Sequence, residues 1–509
     1  MLRHVLIAAG VLLGLVPAAA RAEWRKYETA HFIIYSEAGE KAATGLAEGL
    51  ETVDSLMRMA TGLRPQVETV KVRIYEVGDN DKVANAIGES GSGIAGFYTT
   101  NAMGPYAVTP RKLTFGVGSF SRELVLHHEY AHHFMLQYFP ANYPSWYIEG
   151  FAELMGSSGF MDDGRVAYGK PAKHRGDTIS LNWVPVQDIL LKPAEKLKEF
   201  DLYGQGWALT HFLTFSKERS PQLRRYLAAL TAGRSQEEAA KAFGDLGELN
   251  SEAHRYLRGG EFPYRPVAVP ISRPLFQKIE TIGPAEADLI PETIAFRDND
   301  LSGYRKASDR AKEKRLRDAN LQRARAKVAR HPNDPFGFYL LSELEYAAGN
   351  HAASEAAATR VLSLAPGHVP AMARKSLAIS QQAAKLPQAQ KVARTAEARS
   401  LAARANRANP DEPLPLLAFY QSFSLTGVEP TKNAVEGLEA VVQSIPQQSQ
   451  YRQLLVDEYA RQRRWRDAIR ALTPLANDLH ESPARAAARE QMAKLQAELA
   501  KSSANAGGQ

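Results

Sequence analysis

The 509-residue chain has no cysteine. Disulfide staples, thiolate metal sites and a lipid anchor carried on a cysteine are therefore excluded, and the fold has to be held by a packed core, which a chain of this length can supply. Long apolar runs are missing beyond the first 22 residues, and the mean hydropathy is −0.33. No later stretch approaches the ~20 apolar residues that a membrane-crossing helix needs. No nucleic-acid-binding motif is present either. The early apolar run, Met1 to Ala22, has a basic start, a short apolar core and an Ala20-Arg-Ala22 pattern. It reads as a cleavable secretory signal with Glu23 opening the mature chain, so the expected location is periplasmic or secreted.

What is present centres on His128-Glu129-Tyr130-Ala131-His132. The surrounding stretch Ser121–Phe139 has neither Gly nor Pro, opens on a Ser cap and stops at Pro140, which predicts a helix. On a helix, His128 and His132 stand one turn apart on one face and can both reach one Zn²⁺, while Glu129 is carried beside the position of a catalytic water. His127 and His133 point to other faces and receive no metal role. After the Pro140–Pro144 break, Ser145–Met155 closed by Gly156 predicts a second short helix with Glu149 and Glu153 one turn apart. A catalytic zinc usually takes three protein ligands, so Glu149 is the expected third. Its apolar flanks predict enclosure, and a buried carboxylate needs a partner. Glu153 is expected to accept the spare N–H of a liganding His. Gly150, lacking a side chain, is expected to let this helix approach the first one closely.

These residues resemble the gluzincins, zinc peptidases whose metal is held by the two His of H-E-x-x-H and a Glu on a following helix. The W-x-x-E-G-x-A-E pattern from Trp146 to Glu153 is similar to the third-ligand helix of the membrane alanyl aminopeptidases and the wider MA-like group. Gly96-Phe-Tyr and Tyr203-Gly-Gln-Gly-Trp-Ala-Leu are similar to features of small bacterial MA-like domains. The resemblance covers roughly residues 30–215 and is densest over 123–155. It implies a zincin-like α+β fold, a small mixed sheet with active-site helices, and one zinc per chain on His128, His132 and Glu149. Glu129 would be general base and Glu153 the carboxylate behind the ligands. No G-A-M-E-N-type segment is present, so the resemblance points to an endopeptidase more than an exopeptidase. Related families place a Tyr on a later helix as oxyanion donor, and Tyr203 is the candidate. Equally, Tyr203, Trp207 and His211 share a helical face and could simply pack together. His174 is a second candidate donor.

The chain divides into a signal (1–22), a peptidase-like region (23–262), a Pro-rich and basic linker (263–310), a helical-repeat region (311–500) and a disordered tail (501–509). Strands are expected at His31–Tyr35, Val70–Tyr75, Phe97-Tyr98 and Tyr106–Val108, and a helix over Glu40–Met59. Tyr106–Thr109 is the expected strand beside the metal helix, pairing with extended substrate by strand addition. Pro263, Pro266, Pro270 and Pro274 mark extended linker or a strand pair. Beyond, Pro332, Pro366, Pro410, Pro446 and Pro483 recur near the ends of Ala/Leu-rich helical runs. The unit from Asp334 to Pro366 resembles a tetratricopeptide (TPR) repeat, paired antiparallel helices closed by Pro. The wide gap between Pro366 and Pro410 predicts a longer helix pair near 378–408. Such arrays commonly bind protein on a concave face. Residues 301–509 are net basic within a chain of net charge +7, which reads as a solvated outer face. The expected function is an exported zinc peptidase, with the TPR array recruiting protein substrates or partners. The alternative is an envelope scaffold or chaperone whose zinc domain cleaves little.

Overall fold

The computed structural model describes residues 23–506, except 67, 69, 90–93, 114–119, 142, 177–182, 193–195, 299–300, 302–303, 305 and 478–482. The expected signal at 1–22 lies outside the described residues.

Alternating apolar positions in the first quarter of the chain build five strands of a six-stranded mixed sheet. Its strands are β1 (Arg25–Glu28), β2 (Phe32–Ser36), β3 (Val72–Asp79), β4 (Phe97–Asn101), β5 (Gly104–Lys112) and a late strand, Lys278–Thr281, in the order β4-β5-β3-β2-β1-late strand. The β2–β3 and β3–β5 pairs are parallel and the others antiparallel. Because successive side chains alternate, Phe32, Ile34, Val72, Ile74 and Ala107 face one way, and Tyr35, Tyr75, Val77, Tyr106 and Val108 the other. The first set packs on α1 (Glu40–Thr61) and α3 (Arg122–Tyr138); α2 (Asn80–Ala86) follows β3. α3 starts where Ser121 Oγ accepts the Leu124 N–H at 3.1 Å, the cap its sequence predicts.

The remaining helices of this module are α4 (Ser145–Gly156), α5 (Val186–Leu191), α6 (Glu199–Phe215), α7 (Ser220–Thr231), α8 (Gln236–Ala240) and α9 (Leu246–Gly259). A second small sheet joins β6 (Gly159–Phe160), β7 (Val166–Tyr168) and β8 (Arg265–Val267).

The stretch expected as extended linker or a strand pair forms strands, though these do not pair with each other. β8 pairs with β7, and the late strand β9 (Lys278–Thr281) pairs with β1. Then α10 (Pro284–Ile294) lays Ile290 and Ile294 on the second face of the main sheet. Pro266 lies within β8 and Pro284 opens α10.

From α10 onward the elements among the described residues are all helices: α11 (Ala307–Val328), α12 (Pro335–Ala347), α13 (His351–Leu364), α14 (Val369–Ala383), α15 (Gln388–Ala408), α16 (Pro413–Ser424), α17 (Lys432–Ser444), α18 (Ser449–Arg461), α19 (Trp465–Ala476) and α20 (Pro483–Ala506). Each helix packs on the next, giving antiparallel pairs in TPR-like order. α15, 21 residues long, accounts for the widened period between Pro366 and Pro410. Within the expected disordered tail, α20 continues to Ala506, as its Ala-rich sequence favours, and residues 507–509 lie outside the described residues. Among the described residues, no helix is long and apolar enough to cross a membrane.

Candidate metal centre

The main site is built by three helices. α3 presents His128 and His132, α4 presents Glu149 and Glu153, and α6 presents Tyr203. How α4 is seated decides the geometry. A Cβ on Gly156 would stand 3.0 Å from Leu124 O and 3.3 Å from His128 Cβ, so Gly156 is the glycine that faces α3. Gly150 faces α6 instead, which corrects the expectation from sequence. A Cβ there would lie 2.3 Å from Gly206 O, and one on Gly206 would lie 2.6 Å from Trp146 O. The α4 and α6 backbones therefore touch, and a glycine is needed on each side of the crossing.

The expected ligand atoms converge. His128 Nε2 lies 3.0 Å from His132 Nε2 and 3.4 Å from Glu149 Oε2, and His132 Nε2 lies 3.6 Å from the same oxygen. Donors held at ~2.0–2.1 Å around a tetrahedral zinc stand about 3.3 Å apart, so this triangle has the size of one face of such a site. Among the described residues, Glu149 Oε2 and His132 Nδ1 are buried without hydrogen-bond partners. Orphaned buried polar atoms are costly, and a cation among the ligand atoms gives Glu149 Oε2 its partner.

The electrostatics agree. Burial works against a charged His128, yet Glu149 and Glu153 outweigh it and raise the imidazole to about 10. Burial also opposes ionisation of Glu149, but His132 and His128 hold it down at about 2. A pocket that stabilises positive charge on an imidazole and keeps the carboxylate beside it ionised favours a cation. The donor set, two imidazoles and one carboxylate, suits zinc. His127 and His133, which no metal role was given, are pushed down by burial to about 4 and about 3 and stay neutral.

Glu129 is half-buried on the same helix, with no hydrogen bond or ion pair to any described residue. Glu153 sits behind the ligands, with Oε1 3.3 Å from His128 Nδ1. That oxygen also accepts from Arg175 Nη2 at 2.6 Å and Nε at 3.0 Å, and Oε2 lies 2.6 Å from His174 Nε2. Burial opposes this carboxylate, but His128, His174 and Arg175 hold it well below the usual range. His174 is thus engaged with Glu153, with its ring 5.0 Å from Phe120. The Tyr203 ring lies 5.9 Å from the His128 ring, and the Arg175 guanidinium stacks on it at 4.5 Å. Tyr203 faces the site. Trp207 and His211 pack one and two turns further along α6, away from the ligands.

Two features were not found from sequence. One is the Arg175–Glu153 contact, whose only signal was its place beside His174. The other is the anchorage of α3's far face: His133 Nδ1 accepts from Tyr98 Oη at 2.7 Å and from Gln447 Nε2 at 3.1 Å. β5 cannot take substrate by strand addition, because β3 and β4 occupy both its sides; β4 is the edge strand.

No protein-family model and no curated protein matches the chain. Among solved structures it overlays TPR proteins. The thermophilic TPR protein TTC0263 of Thermus thermophilus is 19% identical, over 36% of this chain and 91% of that one, with a TM-score of 0.30. MamA from residue 41 onward, of Desulfovibrio magneticus RS-1, is 18% identical over 35% of this chain and 94% of that one (TM-score 0.23). Yeast Tom70 is 10% identical over 73% and 69% (TM-score 0.24). The helix-pair order described above rests on the chain's own packing.

Proposed function

We propose that residues 23–262 are a zincin-like, gluzincin-type peptidase, exported through residues 1–22, with the helical array carrying protein contacts. The observation that supports this is the His128–His132–Glu149 triangle, with edges of 3.0–3.6 Å, and Glu129 on the same helix with no partner among the described residues. His128, His132 and Glu149 would hold one zinc, which when bound supplies Lewis acidity and lowers the pKa of water. Glu129 takes the proton of the water that attacks a peptide carbonyl and delivers it to the leaving amine. Tyr203 donates its O–H to the oxygen that gains charge, with Arg175 stacked on its ring holding it in place. Glu153, fixed by His174 and Arg175, orients His128.

The test is zinc content and casein cleavage by the purified chain beside Glu129→Gln and His132→Ala. One zinc per chain, retained by Glu129→Gln and lost by His132→Ala, with cleavage lost in both, is the expected result. No zinc in the wild type would sink the reading. One feature favours a second reading, a scaffold or chaperone: the long helical array from α10 to α20. Zinc retained without cleavage of any polypeptide by the wild type would select that one.

A further inference from the structure

The array touches the sheet module along its inner side. Successive first helices, α10, α12, α14 and α16, pack on one another more closely than the second helices do, so the array curls with the first helices inside. The inner row is polar and cross-linked. Arg374 Nε on α14 donates to Glu343 on α12 at 2.8 Å, and Gln381 reaches Tyr346 Oη at 3.3 Å.

This inner side is filled by the chain itself. Met103, in the β4–β5 turn, packs on Tyr339 of α12 and, with Ala102, on the cluster around Leu289, Leu340 and Leu344. The Ala102 N–H donates to Asp298 Oδ2 at 2.7 Å, and Gln448 Nε2, ahead of α18, donates to the same oxygen at 3.1 Å. Gln450 donates to the Asp298 carbonyl. One residue before Gln448, Gln447 reaches His133 and Gln137 on α3. The turn also closes β4, whose Tyr98 bonds His133.

We infer that the inner face of the array is the receptor for the chain's own Asn101–Gly104 turn, and that a second polypeptide reaches that face only by displacing the turn. The occupant is tethered, so its effective concentration is in the ~mM range and it outcompetes the same sequence offered in trans. Displacement moves β4 and Tyr98 with it, which couples occupancy of the array to the helix bearing His128 and His132. A partner of the closed chain therefore uses the outer surface of the array. The inference stands on the packing alone and is independent of zinc or cleavage.

The test uses the full chain and a labelled peptide of residues 97–108, read by fluorescence anisotropy. Met103→Asp expels the turn, and Met103→Leu keeps its apolar fit. Wild type and Met103→Leu are expected to bind the peptide at least ~10-fold more weakly than Met103→Asp, because only an emptied receptor is competent. Equal binding by all three, or none by a folded Met103→Asp, would overturn the inference. Should Met103→Asp not fold, Gln137→Cys/Gln447→Cys decides it. In this cysteine-free chain a short bis-maleimide, which adds one thiol across each of its C=C bonds, pins the array to α3. Peptide binding unaffected by the cross-link refutes the inference, and binding reduced below that of the uncross-linked chain supports it.

Discussion

Two helical glycines give opposite expected responses to one substitution. Gly45 is exposed on α1, with nothing within 4 Å of an added Cβ. Gly45→Ala therefore removes only the backbone entropy penalty and should stabilise by ~0.5–1 kcal/mol. The same intrinsic gain applies at Gly150, but there the methyl lands 2.2 Å from Thr210 Oγ1 and 2.3 Å from Gly206 O. Thr210 can rotate; the Gly206 carbonyl cannot leave its helix. Restoring contact distance pushes α4 and α6 apart by about 1 Å, enough to forfeit a quarter to a half of the dispersion energy of atoms along that crossing. Overpacking of this kind costs ~1–3 kcal/mol, and with backbone on both sides the upper end applies, so the net loss is about 2 kcal/mol. The two variants should thus differ by roughly 3 kcal/mol, about a hundredfold in the folding equilibrium of the module.

Urea unfolding followed by tryptophan fluorescence reads this directly. Four of the five tryptophans, Trp24, Trp146, Trp183 and Trp207, lie in the sheet module, and Trp146 and Trp207 are on α4 and α6 themselves. The Gly150→Ala midpoint should fall by about 1 M and the Gly45→Ala midpoint rise slightly. Since α4 carries Glu149, Gly150→Ala should also bind zinc more weakly, while Gly45→Ala leaves binding unchanged. Equal midpoints for the two variants would refute the close crossing, and with it the account of how Glu149 is placed.

Burial raises Asp298 from an ordinary 3.8 to about 6, with Glu343 adding to the rise and the Ala102 N–H opposing it. The folded state keeps this proton longer, so stability should fall as pH rises from about 4 to about 6 and level off above; Asp298→Asn should remove that slope from pH-dependent thermal melts. Glu343→Ala strands Arg374, which is 2% exposed, and should cost ~3–5 kcal/mol, seen as a lower melting temperature of the array. The Glu343→Leu/Arg374→Leu pair should recover most of it. Zinc at a hundred times its Kd should stabilise the chain by ~2.7 kcal/mol, an effect that His132→Ala abolishes.

The parts of the fold that are written locally could be read from the sequence. The α3 helix needs only its Ser121 cap and an uninterrupted run to Tyr138, and helical periodicity then puts His128 and His132 on one face. Strands β2 to β5 follow from alternation and flanking glycines within a few residues. The failures share one cause: each depends on a partner distant in sequence. β9 falls in the stretch read as linker or a strand pair, but its partner is the open edge of β1, more than 240 residues earlier. Gly150 announces that a backbone passes close by, but whose backbone is decided by Gly206 and Trp146. Arg175 looks like a surface charge until α4 brings Glu153 beneath it.

The array shows the same division most clearly. Proline spacing and Ala/Leu periodicity encode the pairing of each helix with its neighbour, because those contacts lie within one repeat. Periodicity carries nothing about what fills the inner face. That is determined by a four-residue turn some 200 positions upstream, whose Met103 and Ala102 gain their surroundings only once α10 has covered the sheet. A groove inferred from repeats alone is therefore an open surface, and in this chain the sheet module supplies its occupant.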